Sequence, residues 1–184
     1  MDCERILTKK GDRLARISIV NFYGNIVLDT LVKPWAKVTD YREWITGIKA
    51  EDLKHAPSYP KIAPIVSDLL NHQLKKILND KVVVGHSIFE DFEHLKLNTE
   101  EYQCQIRDVA DFSLFRNIGR KRKLKDLTAE FLNGDIQSSH HSSVIDARVA
   151  LALYRTFQSE IEHELEMPEF SLMEQLFSSQ DKTC

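Results

Sequence analysis

The sequence predicts an α/β layer fold: one mixed sheet covered by helices. Three observations carry that expectation. Two strand-like segments near the N-terminus are separated by turn chemistry, as in an antiparallel hairpin. Beyond them, short apolar runs alternate with segments of helical periodicity, the pattern of strands laid between helices. A chain of 184 residues with 42% hydrophobic content can bury one sizeable core.

The elements are expected in the following order. Leu14 to Phe22 and Asn25 to Val32 have strand composition, with Tyr23-Gly24 turning between them. Lys33 to Gly47 reads as a loop punctuated by Pro34 and Gly47. Lys49 to Ala56 is expected as a short helix. Pro60 to Leu78 places apolar residues at helical spacing, with Pro64 tolerated in the first turn. Val82 to Val84 is a short strand ending at Gly85. Ser87 is expected to cap a helix reaching Leu97, with Glu90 completing a capping box. Ile106 to Val109 suits an edge strand, and Leu124 to Leu132 and Ser143 to Glu166 suit helices, the last capped by Ser142 or Ser143.

Charge is unevenly distributed. Residues 160–184 hold seven acids against one base, a local charge of −6 that leaves +3 on the rest of a chain whose total is −3. Six of the ten residues from Arg116 to Lys125 are basic, a concentration suited to phosphate. No stretch has the apolar length that crosses a bilayer, and no charged region followed by an apolar run opens the chain as a secretory signal would. The three cysteines, Cys3, Cys104 and Cys184, lack Cys-x-x-Cys spacing and fit a reducing compartment.

Four carboxylates and one imidazole carry the candidate chemistry. Asp2 and Glu4 form Asp-x-Glu, and alternate strand residues face one side. Asp91 follows a strand and Gly85, where open α/β sheets gather their sites. His141 stands five positions before Asp146, at the start of the last helix. Converging carboxylates suit hard divalent cations, and two such ions serve phosphodiester cleavage. A histidine of ordinary pKa, about 6.5, suits general-base work near neutrality. Asp108 and Asp111 read as turn or surface acids, and Cys3 as a small packed residue.

These segments resemble the DEDDh exonucleases, the DnaQ-like group of the ribonuclease H-like superfamily. The branch they resemble is that of the eukaryotic RNA exonucleases, which includes ribosomal-RNA-processing enzymes and the interferon-stimulated 20-kDa exonuclease. The supporting segments are Asp2-Cys-Glu4, Leu14 to Asn21, Val38-Thr-Asp-Tyr-Arg42, Gly47-Ile48, Val83-Val-Gly-His86, Ile106-Arg-Asp108, Asp135-Ile-Gln137 and His141-Ser-Ser-Val-Ile-Asp-Ala-Arg148. The resemblance implies a five-stranded mixed sheet of ribonuclease H-like type over residues 1–166, and a flexible acidic tail over 167–184. It implies that Asp2, Glu4, Asp91 and Asp146 hold two Mg²⁺ or Mn²⁺ ions and that His141 deprotonates the attacking water. Arg42 matches a position that contacts the terminal nucleotides. Arg5 stands where relatives carry a methionine against the terminal base, and Arg5 and His86 join Arg42 on the substrate side. The implied reaction is hydrolysis of single-stranded RNA from its 3′ end to nucleoside 5′-monophosphates, with ribosomal precursors as substrate and a nuclear, nucleolar location. A DNA 3′→5′ exonuclease is the alternative within the same fold.

One departure is visible. Family members carry apolar residues ahead of Asp-x-Glu, whereas only Met1 precedes Asp2 here. The first strand is therefore expected to be a stub. Two explanations compete: a misassigned start or truncated isoform, with a full strand in the working protein, or a complete, weakly active chain; a catalytically impaired RNA-binding or assembly factor is a further reading.

Overall fold

A computed structural model describes residues 1–59, 65–95, 97–117, 120–136 and 141–166. The first strand, β1 (Asp2–Thr8), runs antiparallel to β2 (Gly11–Val20), which pairs in turn with β3 (Ile26–Leu31). After β4 (Lys33–Pro34) comes β5 (Val38–Asp40), which closes a four-stranded antiparallel sheet in the order β3-β2-β1-β5. Next are α1 (Glu43–Thr46), β6 (Ser58–Tyr59) and α2 (Ile65–Leu78). Strands β7 (Val82–Gly85) and β8 (Gln105–Asp108) form a parallel pair around α3 (Ile88–Leu95) and α4 (Thr99–Tyr102). A small hairpin of β9 (Arg116–Asn117) and β10 (Arg120–Lys121) leads to α5 (Leu124–Leu132), α6 (Ser143–Thr156) and α7 (Gln158–Glu166).

The α/β class with mixed strand directions holds, but the strands are distributed differently from the expected five-stranded sheet. The antiparallel sheet and the β7-β8 pair meet at Met1, whose buried ammonium donates to the Val84 carbonyl at 2.7 Å. Gly85 permits that approach, since an added Cβ would lie 2.9 Å from the Met1 carbonyl oxygen and 2.8 Å from Ile88. The first strand, expected as a stub, spans seven residues from Asp2 to Thr8. Ile6 and Thr8 are buried, and every residue of β1 pairs with β2.

Other expectations change with tertiary packing. The 33–47 segment, read as loop, contains β4, β5 and α1. Residues 49–56 form turns instead of a helix. Asp52 accepts the Lys49 N–H at 2.8 Å, and Leu53 is buried with Ile6, Ala15 and Ile48, which holds the chain in a local fold that a helix would break. Residues 60–64 lie outside the described residues, as do Gln137, His140 and the acidic tail from 167. The last helix is split at Phe157 (φ −118°, ψ 28°), whose ring packs edge-on against Phe115 and Phe131. A fully buried Phe115 sits at the centre of that trio, and burying such a side chain contributes about 1.5–3 kcal/mol.

Candidate active site

Asp2 and Glu4 share one edge of β1 at its first residues. Pairing with β2 shifts after Glu4: Glu4 faces Arg16 and Arg5 faces Leu14, so Ala15 is left over as a bulge. Bulges increase local twist and re-aim neighbouring side chains, and this one lies beside the paired acids. Asp91 occupies the first turn of α3, just past the carboxyl end of β7, and is 5% exposed. Asp146 occupies the first turn of α6 and is 4% exposed, its N–H donating to the Ser142 carbonyl at 2.8 Å. Ser142 is the N-cap residue but makes no side-chain cap bond. Ser143 instead is fully buried, its hydroxyl 2.7 Å from that of Ser18 on β2.

His141 precedes α6 and is half-buried. Its N–H donates to the Ile45 carbonyl at 2.5 Å, tying it to α1, and its Nδ1 lies 3.6 Å from Asp146 Oδ2. A cleft of about 560 Å³ brings Asp2, Glu4, His141 and Asp146 together with Arg5, Arg42 and His86. Asp91 does not line that cleft. It is buried beside the cleft, close enough for its charge to act on Asp2 and Glu4.

The electrostatics follow from crowding acids in a poorly solvated place. Burial, then Asp91, Asp146 and Glu4, push Asp2 well above the ordinary carboxylate range. Burial and Asp146 raise Glu4 to about 8, against an opposing contribution from Arg16. Burial raises Asp91 to about 7, opposed by Arg5 and the chain's ammonium. Burial, with Asp91 and Asp2, also holds the Cys3 thiol high, which suits a packed thiol rather than a nucleophile. Glu4 Oε1 is buried with no hydrogen-bond partner among the described residues. Among those residues, no three His, Cys, Asp or Glu side chains close into a finished metal cage. What converges is an open group of hard oxygen donors, one with an unsatisfied buried oxygen, whose mutual repulsion a divalent cation would relieve.

The substrate-side candidates are each held by a neighbour. Arg42 adopts a left-handed backbone (φ 49°), its N–H bound by Asp40 Oδ1 at 2.7 Å. Its guanidinium is clamped by both carboxylate oxygens of Asp12, at 2.8 and 3.1 Å. Arg5 is bonded to Glu90 at 2.9 Å. His86 Nε2 lies 2.7 Å from the Arg122 carbonyl, so this imidazole anchors the basic segment to the turn after β7.

The structure divides that basic segment. Lys121 pairs with Asp108 and Asp111, and Arg122 pairs with Glu130 and lies over the Phe131 ring. Lys123 and Lys125 reach the catalytic cleft. Sequence reasoning flagged the run but not these two members of it. Asp108, read as a turn or surface acid, is a turn acid but not a surface one. Asp108 is 3% exposed and accepts the N–H groups of Ser87 at 2.7 Å and Ala110 at 3.0 Å. Ser87 consequently sits at φ 56°, so the expected capping box does not form, and Glu90 turns to Arg5. Gly85-His86-Ser87 was the available signal, since a turn that tight needs its amides held.

A sheet whose first strand presents paired carboxylates, facing a helix-borne carboxylate and histidine with a further buried acid beside them, defines the class of DEDDh-type nuclease domains. A family model described as an exonuclease, RNase T, matches residues 1–154, and the chain belongs to that exonuclease family. It is 39% identical over 170 residues to the RNA exonuclease 4 of Candida glabrata, covering 89% of this chain and 61% of that protein. Against the RNA exonuclease 4 of Candida albicans it is 39% identical over 172 residues, covering 90% of this chain and 56% of that protein. The chain thus spans little more than half the length of these relatives. A solved structure of the Saccharomyces cerevisiae Pan2 pseudoubiquitin hydrolase-RNA exonuclease module, in complex with AAGGAA RNA, superposes with a TM-score of 0.69 at 26% identity. It covers 100% of this chain and 32% of that one. These likenesses bear out the DEDDh resemblance and its RNA exonuclease branch.

Proposed function

We propose that this chain is a divalent-metal-dependent 3′→5′ exoribonuclease that releases nucleoside 5′-monophosphates. The observation that carries the reading is the convergence of Asp2, Glu4, Asp146 and His141 on one cleft, with Asp91 buried beside it. The names of its relatives and the RNA bound to the Pan2 module support RNA as substrate.

Asp2, Glu4, Asp91 and Asp146 would hold the metal, as Mg²⁺ or Mn²⁺, and Glu4 offers an oxygen that no other described residue engages. When bound, such ions lower the pKa of water and stabilise charge on the leaving oxygen. His141 accepts the proton of the attacking water. Asp146, with Oδ2 3.6 Å from Nδ1, faces the imidazole and orients it. Arg42 contacts the terminal nucleotide with its direction set by Asp12, and Lys123 and Lys125 balance the phosphate charge. Burial of the acids excludes bulk water and strengthens each of these interactions. In the same reading the enzyme acts on ribosomal precursors in the nucleolus.

The test is degradation of a 5′-labelled single-stranded RNA with a free 3′-hydroxyl, beside a matched DNA. Mg²⁺ or Mn²⁺ should produce a ladder shortening from the 3′ end, and EDTA should stop it. Asp91→Asn and Asp146→Asn should each lower the rate more than about 100-fold, beyond what loss of an outer hydrogen bond costs. Undiminished RNA cleavage by either variant would overturn the assignment.

A further inference from the structure

A second cleft, of about 710 Å³, lies between the 33–41 segment and the turns after α1. Three lysines, Lys33, Lys37 and Lys54, line it against a single carboxylate, Glu51. Trp35 and Tyr41 also line it, and Trp35 has the Arg13 guanidinium 5.7 Å from its ring centroid. All three lysines are exposed. Strand β5 leads directly from this cleft to the catalytic one. Val38 and Tyr41 line the former and Arg42 lines the latter. From Val38 to Arg42 the chain runs four residues, at most about 13 Å, since β5 ends at Asp40 and Arg42 turns at φ 49°.

From this arrangement we propose that the second cleft is an auxiliary subsite for single-stranded RNA, holding the strand upstream of the 3′ end whose terminal nucleotides enter the catalytic cleft. Lysines track phosphates and aromatic rings stack bases, the combination by which single strands are held without sequence readout. The Lys33-Lys37-Lys54 set supplies the first and Trp35 and Tyr41 the second. At about 3.4 Å per stacked nucleotide, 13 Å is roughly four nucleotides. A dinucleotide therefore reaches the catalytic cleft alone, whereas a dodecamer engages both. The inference rests on the RNA exonuclease reading, and its test is kept separate by measuring binding rather than turnover.

The experiment measures fluorescence anisotropy with a labelled oligo(A) dodecamer and dinucleotide in EDTA, across a salt series. The K33E/K37E/K54E variant should bind the dodecamer about tenfold more weakly, with the slope of log K against log salt flattened by roughly 2, since each phosphate contact on a single strand contributes about 0.7. Dinucleotide affinity should be unchanged. Trp35→Ala should also weaken the dodecamer alone, by about tenfold through lost stacking. The three lysines are exposed, so the triple variant keeps the test open if Trp35→Ala does not fold. Unchanged dodecamer affinity in the triple variant, or an equal loss for both lengths, would overturn the subsite and leave the cleft to an acidic polypeptide. If wild-type protein binds the dodecamer as expected yet never shortens it with Mg²⁺ or Mn²⁺, the exonuclease reading fails and the binding subsite stands.

Discussion

Glu4, raised to about 8, and Asp91, raised to about 7, hold protons near neutrality that their unfolded counterparts, at 4.5 and 3.8, have lost. Between those limits the native state binds more protons than the unfolded chain, so raising pH favours unfolding. Metal-free protein should therefore lose thermal stability from about pH 5 to about pH 8. Glu4→Gln should flatten the profile, because it removes the titrating group without removing its volume. A melting temperature in EDTA that climbs over this window would contradict the crowded-acid description. Adding Mg²⁺ near pH 7 should release protons, measurable with a pH indicator, because carboxylates must ionise to take the metal.

At the scale of elements, α6 is fixed to β2 by a chain of polar contacts that links the supports of two proposed metal ligands. Arg16, opposite Glu4 in the sheet, pairs with Asp29 at 2.7 Å. Asp29 accepts the Ser18 hydroxyl at 2.8 Å, which commits the Ser18 proton, so Ser143 donates to Ser18 at 2.7 Å. Ser143 opens the helix that carries Asp146. Both hydroxyls are fully buried, and leaving one unpaired costs about 1–3 kcal/mol. Urea denaturation should show Ser18→Ala destabilising by that amount, because the Ser143 hydroxyl loses its acceptor, and Ser143→Ala by less, because Ser18 keeps Asp29, with the double variant losing less than the two single losses together. Strict additivity would mean that the pair is not coupled.

For the whole molecule, one aromatic centre joins the helices to the parallel strand pair. Phe115 packs at 5.2 Å from Phe131 and 5.5 Å from Phe157, in the same cluster as Val84 of β7, Leu127 of α5, Leu153 of α6 and Ile161 of α7. Phe115→Ala should lower unfolding free energy by about 3–5 kcal/mol in denaturant titration, the range for truncating a buried aromatic. A loss below about 1 kcal/mol would mean that the site collapses around the gap. A salt bridge, Arg107 to Glu162 at 2.7 Å, ties β8 to α7 in the same region and helps keep the split last helix in place.

Local pattern made several features legible in the sequence. The β2-β3 hairpin, the strand ending at Gly85 and helix α5 arise where residue chemistry and short-range periodicity agree, and α5 matches its expected bounds. The candidate constellation was legible as short motifs, Asp-x-Glu and His141 to Asp146, but their meeting in one cleft depends on the fold. Tertiary structure decided what depends on distant neighbours. Burial of Leu53 among Ile6 and Ile48 turned a helical pattern into turns. The Phe157 ring broke α6 from α7 by seating itself on Phe115. Asp108, 17 residues beyond Asp91 in the chain, became the buried acceptor that shapes the turn before α3. The sequence thus determined which groups are candidates for the chemistry, because that information is carried by residue type and short spacing. Only the folded chain decided how far the acids are desolvated, which arginines are clamped and which lysines line a second cleft, because those depend on contacts between segments distant in sequence.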